Sequence, residues 1–170
     1  MAEIAKAAGV AVPTVYLGFR TKPALFAEAY AYAVKGEAAR EPTEEAWFAE
    51  MSAEPDAGRA VRLMVDGTAE ILRRVAPLES AMRGLSGDPD LAEFERYSAG
   101  LRRAGFQQLI DVLSDRSALR GSLTREEATS VLLVILGPDM YRSFTLEHGW
   151  SDERWRAWSV EALLRLLFPD

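Results

Sequence analysis

The chain has 170 residues, with 20 Lys and Arg against 26 Asp and Glu, a single His and no Cys. Its size suits one domain or a small module joined to a larger one, and a hydrophobic fraction of 49% is enough to fill a core, which argues against wholesale disorder. The absence of Cys excludes a disulfide scaffold, a thiolate metal site, a cysteine nucleophile and a CxxC pair; one His excludes multi-His zinc sites and leaves almost no room for His-based catalysis.

No apolar run approaches the roughly 18 residues of a membrane span. The opening MAEIAKAAGV has neither the basic start nor the long apolar stretch of a signal peptide, so a cytoplasmic protein is expected. The net charge of −6 is unevenly spread. Residues 1–22 carry Lys6, Arg20 and Lys22 against Glu3, a balance of +2, which leaves −8 for the rest. Much of the acid falls in 37–58, where Glu37, Glu41, Glu44, Glu45, Glu50, Glu54 and Asp56 face only Arg40. A mildly basic N-terminal unit is followed by an acidic body.

Helical spacing recurs from end to end and strand signals are nearly absent. Residues 2–8 predict a short helix stopped by Gly9. A second runs from about Val12 to Gly18, with Pro13 in its first turn. A third starts after Thr21, with Leu25, Phe26, Ala29, Tyr30 and Ala33 on one face, and fades near Gly36. Residues 37–56, broken by Pro42 and Pro55, read as a loop holding one short helix around Trp47, Phe48 and Met51. A long helix is predicted from about Ala57 to Val75, ending before Pro77, with a separate short piece at about 78–84.

Asp88 then serves as N-cap and Pro89 as first residue of a helix over about 89–116, whose stripe is Leu91, Phe94, Ser98, Leu101, Gly105, Leu109 and Val112. Thr124 and Glu127 form a capping box for the next helix, whose centre, Val131-Leu132-Leu133-Val134-Ile135-Leu136, is apolar all round and must be covered on every side. Gly137-Pro138 breaks or kinks it, and helix resumes to about Glu147. Ser151 caps a last helix rich in Trp and Leu, with Asp152 and Glu153 suited to its N-terminal dipole. The expected fold is all-α, with about nine helices and no internal repeat.

The stretch 2–26, AEIAKAAGVAVPTVYLGFRTKPALF, carries the functional signal. Two short helices around a tight turn at Gly9 have the arithmetic of a helix-turn-helix, in which the second helix enters the major groove. Ile4, Ala5, Ala8, Val10, Val15 and Phe19 form the expected apolar seam. Val12, Pro13, Thr14, Leu17 and Gly18 are left on the outer face with Tyr16 beside them, and Lys22 follows where a cation reaches a phosphate.

This stretch resembles the DNA-binding motif of the TetR family of bacterial transcriptional regulators, through Ile4-Ala5, Ala8-Gly9-Val10, Thr14-Val15-Tyr16, Phe19, Lys22 and Ala24-Leu25-Phe26. The resemblance implies a DNA-binding domain over 1–36 and a helical domain over 37–170 that binds a small-molecule inducer and dimerises through its last helices, about 124–168. It places Tyr16 and Lys22 on phosphates and Thr14, Val12, Pro13 and Leu17 on base edges. The base-facing surface has no Arg, Asn or Gln for bidentate readout, so specificity falls to Thr14, thymine-methyl contact and DNA shape. Gly18 departs from the aromatic or imidazole side chain common in the family. Ala11 stands where a hydroxyl-bearing cap is usual, which weakens the helix start by about 1 kcal/mol. The family's first helix has no counterpart ahead of Ala2, and the reading adopted is that Met1 is an internal methionine of a longer protein.

The remaining candidates divide between core and ligand. Met64, Met82, Phe94, Tyr97, Phe106, Met140, Tyr141 and Phe144, with Trp47, Phe48 and Met51, offer an apolar, adaptable wall for a ligand, or core. Gly67, Gly100 and Gly105 mark close packing, a kink or room for a ligand. The carboxylates Glu44, Glu45, Glu50, Glu54 and Asp56, and the pair Asp66 and Glu70, read as solvated faces with no metal-binding spacing, and His148 as a helix-end residue. No catalytic residue, metal or cofactor is expected. The leading function is a dimeric, ligand-released repressor on a near-palindromic operator. The alternative is a helical ligand-sensing and dimerisation module that does not bind DNA because the first helix is missing.

Overall fold

The computed structural model describes residues 1–83 and 89–169, and among them every regular element is helical. The N-terminal elements are α1 (Ala2–Ala8), α2 (Val12–Gly18) and α3 (Lys22–Lys35). A 3-10 turn (Pro42–Glu44) and α4 (Ala46–Ala53) lead to the long helices α5 (Ala57–Arg83) and α6 (Pro89–Ser114). Then come α7 (Arg125–Ile135), α8 (Pro138–Arg142), a π-helical turn (Ser143–Glu147) and α9 (Asp152–Leu167).

The helix ends follow from local chemistry. Gly9, at φ 67°, takes the left-handed conformation that ends α1, its N–H reaching the Ala5 and Lys6 carbonyls. Thr21 Oγ1 accepts from the Ala24 N–H at 3.2 Å to start α3. Thr124 and Glu127 form a capping box at α7, and Ser151 Oγ accepts from the Arg154 N–H to open α9. Asp88, expected as the cap of α6, lies outside the described residues.

α5 runs down the middle of the molecule. Val61, Met64 and Val65 on α5, Ile110 on α6, Leu132 on α7 and Trp155, Leu163 and Leu167 on α9 are almost wholly removed from water in one core. A second, smaller cluster of Phe26, Met82 and Leu91, with Phe94 against it, joins α3 to the far ends of α5 and α6. Arg156 on α9 ties the first core to α5. Its Nη1 donates to Asp66 O at 3.1 Å and Oδ1 at 3.3 Å, its Nη2 to Glu70 Oε1 at 2.6 Å, and its Nε to Asp152 Oδ2 at 2.5 Å. Asp152 also accepts from Tyr141 Oη at 2.9 Å, and burial pushes that phenol up to about 12. Asp66 and Glu70, expected on a solvated face, are therefore half of a tether.

Three expectations change. Pro77 does not divide the chain: α5 continues through it to Arg83. Proline removes one i→i−4 hydrogen bond, but Ala76 is buried on one side of it and Met82 on the other, and packing at both ends outweighs the lost bond. The expected stripe of α6 is buried at Leu91, Ser98 and Leu109, but Leu101 is 57% exposed and the half-buried Arg102 takes the inward place between Ser98 and Phe106. A charged residue occupies an inward position there because Glu79 neutralises it. The apolar centre of α7 is not covered on every side, since Val134 remains 59% exposed within the single chain.

Candidate nucleic-acid interface

α1 and α2 cross through Ala5 and Val15, the residues of this pair that are buried, with Ile4 and Phe19 half-buried beside them. Ala8 and Val10, expected in the seam, are exposed. Helices of seven residues share about one turn of contact, and the left-handed turn at Gly9 carries Val10 outward once its N–H has bonded the Ala5 carbonyl at 3.0 Å. Ala11 caps α2 without a side-chain hydrogen bond, so this helix starts without the usual hydroxyl.

With Val15 turned inward, the opposite face of α2 is open. Leu17 is 85% exposed, and Val12, Pro13, Thr14, Tyr16 and Gly18 are exposed with it. Gly18 borders open space. α2 contains no charged residue. Lys22, half-buried, opens α3 immediately beyond. Among the described residues Thr14, Tyr16 and Lys22 make no side-chain hydrogen bond or ion pair. A hydroxyl, a phenol and an ammonium free of intramolecular partners are what phosphate and base-edge contacts require, and no carboxylate on α2 opposes a polyanion.

α3 connects this surface to the body and is held there by two arginines. Arg74 on α5 caps its C-terminus, Nε donating to Ala33 O at 2.7 Å and Nη2 to Val34 O at 3.3 Å. Nearer its middle, Tyr30 Oη donates to Glu79 Oε1 at 3.2 Å and accepts from Arg102 Nη2 at 3.0 Å; the same Nη2 donates to Glu79 Oε1 at 2.5 Å. Burial pushes the Tyr30 hydroxyl above its ordinary range, which keeps it neutral and able to donate. Phe94 meets the Tyr30 ring edge-on at 5.4 Å. A cavity of about 310 Å³ opens at this junction, lined by Tyr30, Glu79, Met82, Phe94, Ser98 and Arg102 among others.

Of the residues expected to line a ligand pocket, the structure places Met82 and Phe94 on this cavity. Met64 and Phe106 lie in the main core. Tyr97 points away, 64% exposed. Tyr141 packs edge-on against Trp155, Phe144 lies tilted at 46° against both Trp150 and Trp158, and Met140 is half-buried. Trp47 covers Gly67, Phe48 lies at the margin of the main core, and Met51 is inside it. Sequence reasoning missed Tyr30, Glu79 and Arg102 as a group. The available signal was an Arg at the four-residue step between Ser98 and Phe106, together with a Tyr on the apolar face of α3.

Among the described residues no cluster of three His, Asp or Glu is arranged to hold a metal ion, and no helix is long and apolar enough to cross a membrane. Residues 1–29 match the sequence model of the family described as bacterial regulatory proteins, tetR family. The match covers α1, α2 and the first half of α3, so this segment is a helix-turn-helix DNA-binding segment of that type, and it supports a TetR-type transcriptional regulator. Comparison with curated proteins and with solved structures gave no match.

Proposed function

We propose that the chain is a dimeric repressor that reads a near-palindromic operator and is released from it by a small molecule. The observation that carries this reading is the outer face of α2, where Val12, Pro13, Thr14, Tyr16 and Leu17 stand exposed on a helix that holds no acidic residue, within the segment matched to the tetR family. Tyr16 and Lys22 fix register on phosphates; Thr14 and the apolar side chains read base edges and groove shape. Two such helices about one DNA turn apart would match a two-fold operator.

Dimerisation is assigned to the C-terminal helices. Val134 on α7, Leu146 in the π-helical turn and Leu166 on α9 are large apolar residues that one chain leaves exposed, and a second copy would cover them. Inducer release would work through α3, because Arg74 and Tyr30 fix its position on the body. A ligand shifts DNA affinity only by as much as it prefers one α3 position to the other. The test is a salt-dependent mobility shift on the DNA flanking the coding sequence, with sedimentation measured in parallel. The reading requires sequence-selective binding that weakens steeply with salt, by a dimer. A dimer with equal, weak affinity for any DNA would favour the sensing module without an operator.

A further inference from the structure

The cavity at the junction of α3, α5 and α6 has a lining more selective than its size requires. Its volume of about 310 Å³ is at the small end for ligand sites. Arg102 and Tyr30 both direct their hydrogen bonds to Oε1 of Glu79, so among the described residues Oε2 has no hydrogen-bond partner, although the side chain is only 17% exposed. Glu95 and Asp139 bring the lining to three carboxylates, while the Met82 thioether and the Tyr30 and Phe94 rings form the apolar wall.

We propose that this cavity is a binding site for a small organic cation, an ammonium group carried on an aromatic or branched apolar body. The inference rests on the reading of the chain as a ligand-responsive regulator, and it specifies the chemistry of the ligand. The ammonium donates to Glu79 Oε2 in a charge-assisted hydrogen bond, inside a partly buried site where such bonds are strongest. The apolar body lies against Met82 and Phe94, and aromatic faces attract a cation within about 6 Å. An anionic ligand would have to take Arg102 from Glu79 and Tyr30 and then lie in a lining that holds Glu79, Glu95 and Asp139. A neutral ligand would leave Glu79 Oε2 desolvated without a donor. Occupancy is felt directly by α3, since Tyr30 shares the Glu79 oxygen through which α3 is held.

The test uses the full chain, free of DNA and labelled at its Met methyl groups, titrated with three probes of matched length: 4-phenylbutylammonium, 4-phenylbutanol and 4-phenylbutanoate. The Met82 methyl signal should move saturably with the ammonium at a concentration at least tenfold below that needed by either of the others. Met51 and Met64, wholly buried in the main core, should stay in place and report an intact fold. Glu79→Gln should weaken the ammonium at least tenfold, and Glu95→Gln, at the exposed rim, about twofold. Tighter binding of the butanoate, equal binding of all three probes, or unchanged ammonium affinity in both variants would overturn the proposal. Because no DNA is present, a positive titration without operator binding would refute the repressor reading and leave the cavity assignment standing. Operator binding with a silent Met82 would do the reverse.

Discussion

The indole of Trp47 lies against the backbone of Gly67, so that a Cβ built on Gly67 falls 2.2 Å from Trp47 Cδ2. No other residue fits at position 67 while Trp47 stays where it is, and this contact fixes α4 on α5.

Gly67→Ala should therefore cost about 2–3 kcal/mol of stability, the range of a severe overpacking, despite the better helix propensity of Ala. In a Trp47→Ala background the same change should be neutral or stabilising by up to about 1 kcal/mol, because only the propensity effect remains. Urea denaturation of the four proteins measures both. Equal costs in the two backgrounds would mean that Trp47 does not occupy the face of Gly67.

Arg156 reaches Asp66, Glu70 and Asp152 on two helices. Arg156→Met keeps much of the side-chain bulk but leaves three carboxylates close together. Asp66 and Glu70 are each 49% exposed, so water screens part of the repulsion, and the loss should be about 1–3 kcal/mol rather than that of a fully buried pair. Thermal melts at low and high salt should show a loss that shrinks as salt rises.

The same tether has a pH signature. The hydrogen bond from Arg156 holds the Glu70 carboxyl below the usual carboxylate range, against the opposing effect of its partial burial, and Arg73 adds to the lowering. A depressed folded pKa means that the native state binds fewer protons than the unfolded one in acid. The stability that Glu70 contributes is complete above the unfolded value of about 4.3 and is lost as pH falls through the folded value. Glu70→Gln should flatten the fall in stability below about pH 4.5 and leave the slope between pH 6 and 8 unchanged.

Lys22 and Thr14 should separate affinity from specificity. If Lys22 contacts a phosphate as proposed, Lys22→Ala should weaken binding to all sequences alike and reduce the salt slope by about 1. Thr14→Ala should leave the slope in place and narrow the preference for operator over unrelated DNA. Mobility shifts on both DNAs at three salt concentrations distinguish the two outcomes.

Much of the fold was legible because its helix ends are written in local chemistry. Gly9, Thr21, the Thr124–Glu127 box and Ser151 each stop or start a helix where their backbone and side chains require. What was not legible depended on partners distant in sequence. Pro77 reads as a terminator until Met82 and Ala76 are seen packed on either side of it. Nothing local marks Arg102 as inward; that follows only from Glu79 and Tyr30, which the fold brings opposite it. The outer face of α2 was legible because an amphipathic helix with Val15 inward leaves only one choice for Thr14 and Leu17. The cavity wall was not, since Met and aromatic spacing is the same whether a residue faces a cavity, as Met82 does, or a filled core, as Met64 does.

The most direct test of the central claim is the salt dependence of binding by the full chain to its flanking DNA, measured beside a scrambled duplex of the same length. The account predicts a preference of at least a thousandfold for the flanking site at physiological salt, the lower end for specific recognition, with affinity falling linearly in log salt. Equal affinity for the two duplexes at every salt concentration would contradict it.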